Sequence, residues 1–130
     1  MIPKITYIDE IEFNNAPGIY KLISHEYNHK FASVEINNSK SYLGWQSSSI
    51  EVEILYIKEH NFLLFGVDLQ VTVFSLTTNR IVFSLGTSTY FLCFTDRDRI
   101  SFVINTQIQD IVINKNSLSI SQIIGHDLIF

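Results

Sequence analysis

Short apolar segments separated by polar turns make up the chain from residue 50 onward. Residues 50–57 alternate, with Ile50, Val52 and Ile54 on one face and Glu51 and Glu53 on the other, as in a half-buried strand whose glutamates face solvent. Similar segments follow, separated by turns at residues 58–61, 77–79, 96–99 and 115–117. Strand patterns that recur every eight to twelve residues or so, roughly as here, indicate an antiparallel all-β domain.

The composition indicates a single globular domain that covers residues 1–130. Of the residues, 46% are hydrophobic and 17% are charged, a balance that suits a folded core rather than a disordered segment. The formal net charge is −4, whereas a nucleic-acid-binding protein needs a basic face. Residues 1–60 contain five Lys and eight Asp or Glu, so most of the acidic excess lies there. The charge argues against direct nucleic-acid binding and allows a basic protein partner.

Cysteine content and hydropathy lead us to expect a soluble, cytoplasmic protein. Cys93 is the one cysteine, so no internal disulfide forms, and its apolar surroundings in "YFLCFT" predict a buried, inert thiol. No basic-then-apolar leader opens the sequence, and no apolar run reaches about 18 residues. Neither glycine-rich nucleotide-binding pattern occurs. We therefore expect no membrane contact and no cofactor.

Residues 63–85 and 102–124 form a faint internal repeat. Equivalent positions lie 39 residues apart: Leu64 and Val103, Gln70 and Gln109, Val73 and Val112, Ile81 and Ile120. A period of about 40 residues with four strands per unit is the spacing of β-propeller blades. The segment "LLFGVDLQVTVFSLTTNRIVFSL" resembles a propeller blade of the WD40 or quinoprotein kind. The resemblance covers residues 50–127 and implies an open, twisted sheet of about two blades, a half-propeller, because a closed propeller needs at least about four.

The N-terminal part is less regular, and we expect at most one short helix, near residues 17–29. There the stretch "HEYNH" at residues 25–29 matches H-E-x-x-H, in which two histidines on one helix face bind zinc and the glutamate activates water. Catalytic zinc needs three protein ligands, and Glu35 stands where a metzincin has its third histidine. We therefore predict no metal at His25 and His29 and no catalytic residues.

The candidate partner-binding residues are carboxylates and aromatic side chains. Trp45 is either a core residue or an exposed anchor, since tryptophan is enriched among interface hot spots. Tyr42 is the alternative anchor. The acidic candidates lie in the N-terminal half and at the hairpin tip of residues 96–99: Asp9, Glu10, Glu12, Glu51, Glu53, Asp96 and Asp98.

In its small size, acidity, low cysteine content and expected β structure, the chain resembles the immunity proteins of bacterial toxin–immunity systems, such as those of contact-dependent inhibition. The resemblance implies a protein that binds a cognate toxin domain and blocks its active site. A toxin that cleaves RNA is typically basic, so acidic side chains would occupy its cationic cleft in place of phosphates, and charge attraction would speed association. The alternatives are a small H-E-x-x-H zinc hydrolase and a propeller-like interaction scaffold that pairs through a sheet edge.

Overall fold

Three four-stranded β-sheets and one short helix make up the part of the chain that the structure describes. This computed structural model describes residues 3–15, 18–25, 27–46 and 50–126. Within these ranges no sheet closes into a barrel. The helix has five residues, and the described part of the chain contains no helix long and apolar enough to span a membrane.

The first sheet is formed by the N-terminal part of the chain. Its elements are β1 (Ile5–Ile8), helix α1 (Glu10–Asn14), β2 (Tyr20–Ile23), β3 (Lys30–Ile36) and β4 (Ser39–Trp45). The strand order is β1-β3-β4-β2. The pairs β1–β3 and β3–β4 are antiparallel, whereas β2 runs parallel to β4.

The second and third sheets are meanders whose strands pair in chain order. The second contains β5 (Glu53–Ile57), β6 (Phe62–Val67), β7 (Gln70–Ser75) and β8 (Arg80–Gly86). The third contains β9 (Phe91–Asp96), β10 (Ser101–Thr106), β11 (Gln109–Asn114) and β12 (Ile120–Gly125). The 39-residue repeat relates their strands, since Gln70 begins β7 and Gln109 begins β11.

The second sheet lies between the other two and is covered on both faces. Toward the first sheet, Leu63 and Phe65 pack with Val34 and Trp45. Toward the third sheet, the core contains Leu64, Val73, Phe91, Phe102 and Ile104, among others. Because each face meets another sheet, strand β6 can be apolar throughout, as a strand buried on both faces requires.

Gly66 allows the second and third sheets to approach each other. A Cβ atom at this position would lie 2.5 Å from the ring of Phe91, which is closer than nonbonded carbon atoms approach. Phe91 is buried, and its ring packs against Phe94 with 4.6 Å between centroids. The absence of a side chain at Gly66 therefore makes room for the first aromatic residue of the third sheet.

The sequence prediction of a mainly-β fold with open antiparallel sheets and at most one short helix is confirmed. The predicted place of the helix, near residues 17–29, is wrong. The helix is Glu10–Asn14, and β2 occupies part of the expected range. Leu22 explains the difference, because its side chain enters the core and its carbonyl oxygen accepts the Thr72 hydroxyl at 2.6 Å. These tertiary contacts outweigh the local helical spacing.

Candidate protein-interaction surface

Helix α1 begins where the chain leaves β1. Asp9 caps it, since its carboxylate accepts the backbone N–H of Glu12 at 2.8 Å. Glu10 and Glu12 occupy the first turn, where negative charge interacts favourably with the helix dipole. A polar cap and an acidic first turn thus explain why so short a helix forms directly after a strand.

Phe13 attaches the helix to the outer face of the first sheet. Its buried ring packs against Phe31 and Tyr42, with centroid distances of 5.0 and 5.8 Å. Gly44 leaves the space for this contact, because a Cβ atom there would lie 2.9 Å from Phe13 Cζ. The Lys21 ammonium lies 4.5 Å from the centroid of the Phe13 ring. Phe13 is therefore the buried residue of the helix, whereas Glu10, Ile11 and Glu12 are exposed.

A hydrogen bond to the sheet also fixes the side chain of Glu12 in the first turn of the helix. The Tyr42 hydroxyl donates to Glu12 Oε2 at 3.1 Å. Burial, followed by this hydrogen bond and the nearby carboxylate charge, raises the pKa of Tyr42 above its usual 10.0. The phenol therefore remains protonated at neutral pH and continues to donate, which holds the Glu12 side chain in place.

The outward side of the helix combines negative charge with an exposed apolar residue. We call Asp9, Glu10, Ile11 and Glu12 the acidic helix surface. Among the residues that the structure describes, none of its three carboxylates forms an ion pair. Ile11 is 72% exposed, the largest value of any bulky hydrophobic residue in the described ranges. Sequence analysis missed Ile11, although its position between two glutamates in "DEIEF" was the available signal.

The two aromatic anchors predicted from the sequence are buried. Trp45 is 1% exposed, lies in the core between the first and second sheets, and donates its indole N–H to the Ile50 carbonyl oxygen at 2.9 Å. Tyr42 is 2% exposed, beneath the helix. The prediction that either provides an exposed contact is therefore wrong, and Trp45 takes the core alternative.

Glu51 lies apart from the helix and already has partners. Its carboxylate accepts a hydrogen bond from the Tyr7 hydroxyl and lies 3.7 Å from Lys30 Nζ. Tyr7 is paired with Ala32, a core residue between the first two sheets, so this group belongs to the sheet face opposite the helix. Its interaction with Glu51 raises the pKa of Tyr7. The negative charge of Glu51 is thus partly compensated within the chain.

Glu53 has a structural role. It was expected to be exposed, but it is half-buried, and its Oε1 accepts the backbone N–H of Phe94 at 3.2 Å. The prediction failed because β5 has a sheet on each side: Ile54 packs toward the first sheet and Leu55 toward the third. Glu53 therefore covers part of the edge of β9 and does not share an exposed surface with Glu51.

Both aspartates of the hairpin at residues 96–99 have partners within the chain. Lys115 is buried, and its ammonium donates to Asp96 Oδ1 at 2.6 Å and to the backbone carbonyl oxygen of Asp98. The Asp98 carboxylate accepts the backbone N–H groups of Ile100 and Ser101, each at 2.8 Å, and these bonds lower its pKa. Both aspartates thus stabilise the turn.

The H-E-x-x-H stretch is not helical in its described residues. Residue 26 lies outside the description, while His25 and His29 belong to a loop between β2 and β3. The Nδ1 atom of His25 accepts the backbone N–H of Tyr27 at 3.1 Å, and the Asn28 side chain accepts the N–H of His25. Within the described ranges, no group of three or more His, Cys, Asp or Glu side chains is placed to hold a metal ion.

A polar network crosses the outer face of the third sheet. Asn105 accepts from the Thr95 hydroxyl at 2.8 Å and from the Cys93 thiol at 3.5 Å, and it donates to Asp110 at 3.0 Å. Asp110 also lies 2.9 Å from His126 Nε2. Cys93 is exposed, not buried as predicted. Partial desolvation, with help from Glu53 and Asp110, raises its pKa, so the thiol is protonated and poorly nucleophilic at neutral pH.

Searches with protein-family models and of curated protein sequences found no match to this chain. The structure does not bring the seven predicted carboxylates together. Asp9, Glu10 and Glu12 share the acidic helix surface, whereas the other four lie elsewhere and interact within the chain.

Proposed function

We propose that this chain is a protein-binding module whose acidic helix surface recognises a basic partner. The observation that carries the proposal is the difference among the carboxylates. Glu51, Asp96 and Asp98 each lie within 4 Å of a cationic side chain, whereas those of the acidic helix surface do not, within the described ranges. Carboxylates without an internal cation keep their full attraction for an external one.

Ile11 provides the apolar contact that such a surface needs. Charge attraction raises the association rate, whereas a desolvated apolar side chain at the centre of an interface slows dissociation. Ile11 lies between Glu10 and Glu12 in the sequence, and its 72% exposure leaves it available to a pocket on the partner. A basic surface with a small apolar depression is therefore the complement that this helix fits.

The kind of partner that we propose is a bacterial toxin domain, with this chain as its immunity protein. The net charge of −4 and the uncompensated carboxylates support this reading, because the cleft of an RNA-cleaving toxin is cationic. The carboxylates of Glu10 and Glu12 would take the place of substrate phosphates and block the cleft. Such inhibition requires binding alone and no catalytic group on this chain.

The zinc hydrolase alternative has less support. The H-E-x-x-H chemistry depends on a helix that directs both histidines to one side. His25 and His29 lie in a loop, and Nδ1 of His25 already accepts a hydrogen bond. The H-E-x-x-H spacing predicts zinc binding only when the two histidines lie on one face of a helix. In a loop, the same spacing does not predict a zinc site.

Binding kinetics test this proposal. The partner to test is the C-terminal domain of a secreted protein from a neighbouring gene. Its binding is measured by surface plasmon resonance at several salt concentrations. Raising salt should slow association more than it changes dissociation, because the Debye length falls from about 10 Å at 0.1 M to about 3 Å at 1 M. Glu10→Lys should slow association, while Ile11→Ala should speed dissociation about tenfold, the equivalent of about 1.4 kcal/mol.

Glu59→Lys is the matched control. Glu59 is exposed in the turn between β5 and β6, so the variant makes the same charge change away from the acidic helix surface. Its association rate should stay close to that of the unmodified chain. If Glu10→Lys and Glu59→Lys slow association equally, the effect is one of net charge and the proposed surface is wrong.

A further inference from the structure

The carboxylate of Glu12 is exposed to solvent and is also held by the sheet beneath the helix. Its Oε2 atom accepts the Tyr42 hydroxyl at 3.1 Å. The backbone of Glu12 is fixed as well, because its N–H donates to the capping carboxylate of Asp9 at 2.8 Å. Glu10 differs, since its carboxylate accepts no hydrogen bond from the residues that the structure describes. Glu12 is therefore an exposed carboxylate whose position is already defined in the free chain.

Tyr42 is a rigid support for this hydrogen bond. It lies in β4, between β3 and β2, and its register partners are Ser33 and Lys21. Its ring is 2% exposed and stacks on Phe13, with 5.8 Å between the centroids. A side chain that packing holds in one orientation places its hydroxyl at one point, and a residue on a strand is positioned more precisely than one on a loop. The Glu12 carboxylate is held at that point.

An ordered side chain binds a partner at a lower entropic cost. Immobilising one flexible side chain in an interface lowers affinity by about two- to tenfold. Glu12 avoids this loss because Tyr42 orders its carboxylate before the partner arrives, whereas Glu10 loses its rotational freedom on binding. Of the two glutamates that we place in the cationic cleft, Glu12 thus makes the more effective contact.

We propose that Tyr42 is a positioning residue for binding, whose hydroxyl fixes the Glu12 carboxylate as the group that replaces a substrate phosphate in the partner's cationic cleft. This inference rests on the proposed function and assigns different roles to the two glutamates. Glu12 provides the ordered contact that slows dissociation, and Glu10 adds the long-range attraction that speeds association. Tyr42 acts from beneath the surface, through Glu12, without touching the partner.

Removal of one hydroxyl group tests the inference, with the proposed toxin domain as the probe in surface plasmon resonance. Tyr42→Phe keeps the aromatic ring and the net charge, so its association rate should equal that of the unmodified chain. Its dissociation should be about two- to tenfold faster, because the Glu12 carboxylate is no longer held. The matched control is Tyr56→Phe, since the Tyr56 hydroxyl donates to Asn61 at 3.1 Å in the second sheet. This control loses the same kind of hydrogen bond away from the helix and should dissociate at the unmodified rate.

A double-mutant cycle separates positioning from a general loss of structure. In a Glu12→Ala background, Tyr42→Phe should not speed dissociation further, because the hydroxyl has lost the carboxylate that it holds. The same cycle is measured on the free chain by urea denaturation, without any partner. There, Tyr42→Phe should lower the urea midpoint in the presence of Glu12 and should not lower it further in the Glu12→Ala background.

Three results would overturn this inference alone. They are equal dissociation rates for Tyr42→Phe and Tyr56→Phe, an equal effect of Tyr42→Phe on dissociation with and without Glu12, and additive falls of the urea midpoint in the free chain. A different pair of results overturns the proposed function, and this inference with it. These are a toxin domain that does not bind, and one whose association is slowed equally by Glu10→Lys and Glu59→Lys.

Discussion

In the part of the chain that the structure describes, the first and third sheets each have an outer face that no other sheet covers, but the two faces are covered differently. On the first sheet, helix α1 places Phe13 over Phe31 and Tyr42. On the third sheet, hydrogen-bonded side chains that include Asn105 and Asp110 lie on the surface. The outer face of the first sheet is thus covered by helix α1, which carries charged side chains. The outer face of the third sheet is polar and lies next to the uncharged strand β12.

The repeat shows where this difference arises. Leu64 and Val73 of the second sheet face the third sheet, and Val103 and Val112 are their equivalents 39 residues later. Gly66, which accommodates Phe91, has Asn105 as its equivalent. The third sheet therefore repeats the apolar positions of the second but has a hydrogen-bonding side chain where the second has a space for an aromatic ring. Positions that are equivalent in the repeat can therefore lie on a packed face in one sheet and on a solvent-facing side in another.

The largest effect that we expect from a single change is the loss of the helix attachment. Phe13→Ala should lower the free energy of unfolding by about 3–5 kcal/mol, because a buried aromatic ring is replaced by a cavity. Urea denaturation followed by fluorescence measures this value. Ile11→Ala, in the same helix but exposed, should change it by less than about 0.5 kcal/mol. Similar losses for the two variants would mean that the helix is not held through Phe13.

We expect a smaller effect, on the pH dependence of stability, from Asp110 on the outer face of the third sheet. The hydrogen bond from Asn105, and then that of His126, hold the pKa of Asp110 below its usual 3.8. The stabilisation is therefore fully present above the unfolded value, near pH 4, and is lost as pH falls through the lower folded value. Asp110→Asn should make stability fall less steeply with acid. Chemical denaturation at a series of pH values below 5, roughly, measures the slope.

Glu59→Gln is the control for this measurement. Glu59 is exposed in the turn between β5 and β6, and its carboxylate accepts no hydrogen bond from the residues that the structure describes. The variant should keep the acid sensitivity of the unmodified chain. If Asp110→Asn and Glu59→Gln behave alike, the network on the third sheet does not contribute to stability through Asp110.

Much of the fold could be predicted from sequence, because alternation and turn residues are local signals. The β-strands after residue 50 follow from such signals, and the repeat follows from comparison of the chain with itself. The position of the helix could not be predicted, since Leu22 is extended through contacts with β7 that are distant in sequence. For the same reason, the alternating pattern of residues 50–57 predicts that Glu53 is exposed to solvent. In the structure, Glu53 of the second sheet contacts Phe94 of the third sheet.

The candidate site was predictable only in part. Charge alone indicates Asp9, Glu10 and Glu12, and charge is visible in the sequence. Which carboxylates are compensated depends on partners such as Lys115, which lies 17 to 19 residues from the aspartates that it contacts. Trp45 and Tyr42 are candidates because they are aromatic, but aromatic residues occur in protein cores and in interfaces alike. Ile11 needed the structure, because its exposure follows from the orientation that Phe13 gives the helix.

Backbone hydrogen exchange tests most directly the central proposal, that a basic partner binds the acidic helix surface of the first sheet and not the third sheet. Amide exchange is measured by mass spectrometry for the free chain and for the chain mixed with the proposed toxin domain. The account predicts slower exchange in the complex at residues 9–14 and unchanged exchange at residues 93–96 on the third sheet. Protection of residues 93–96 without any change at residues 9–14 would contradict it.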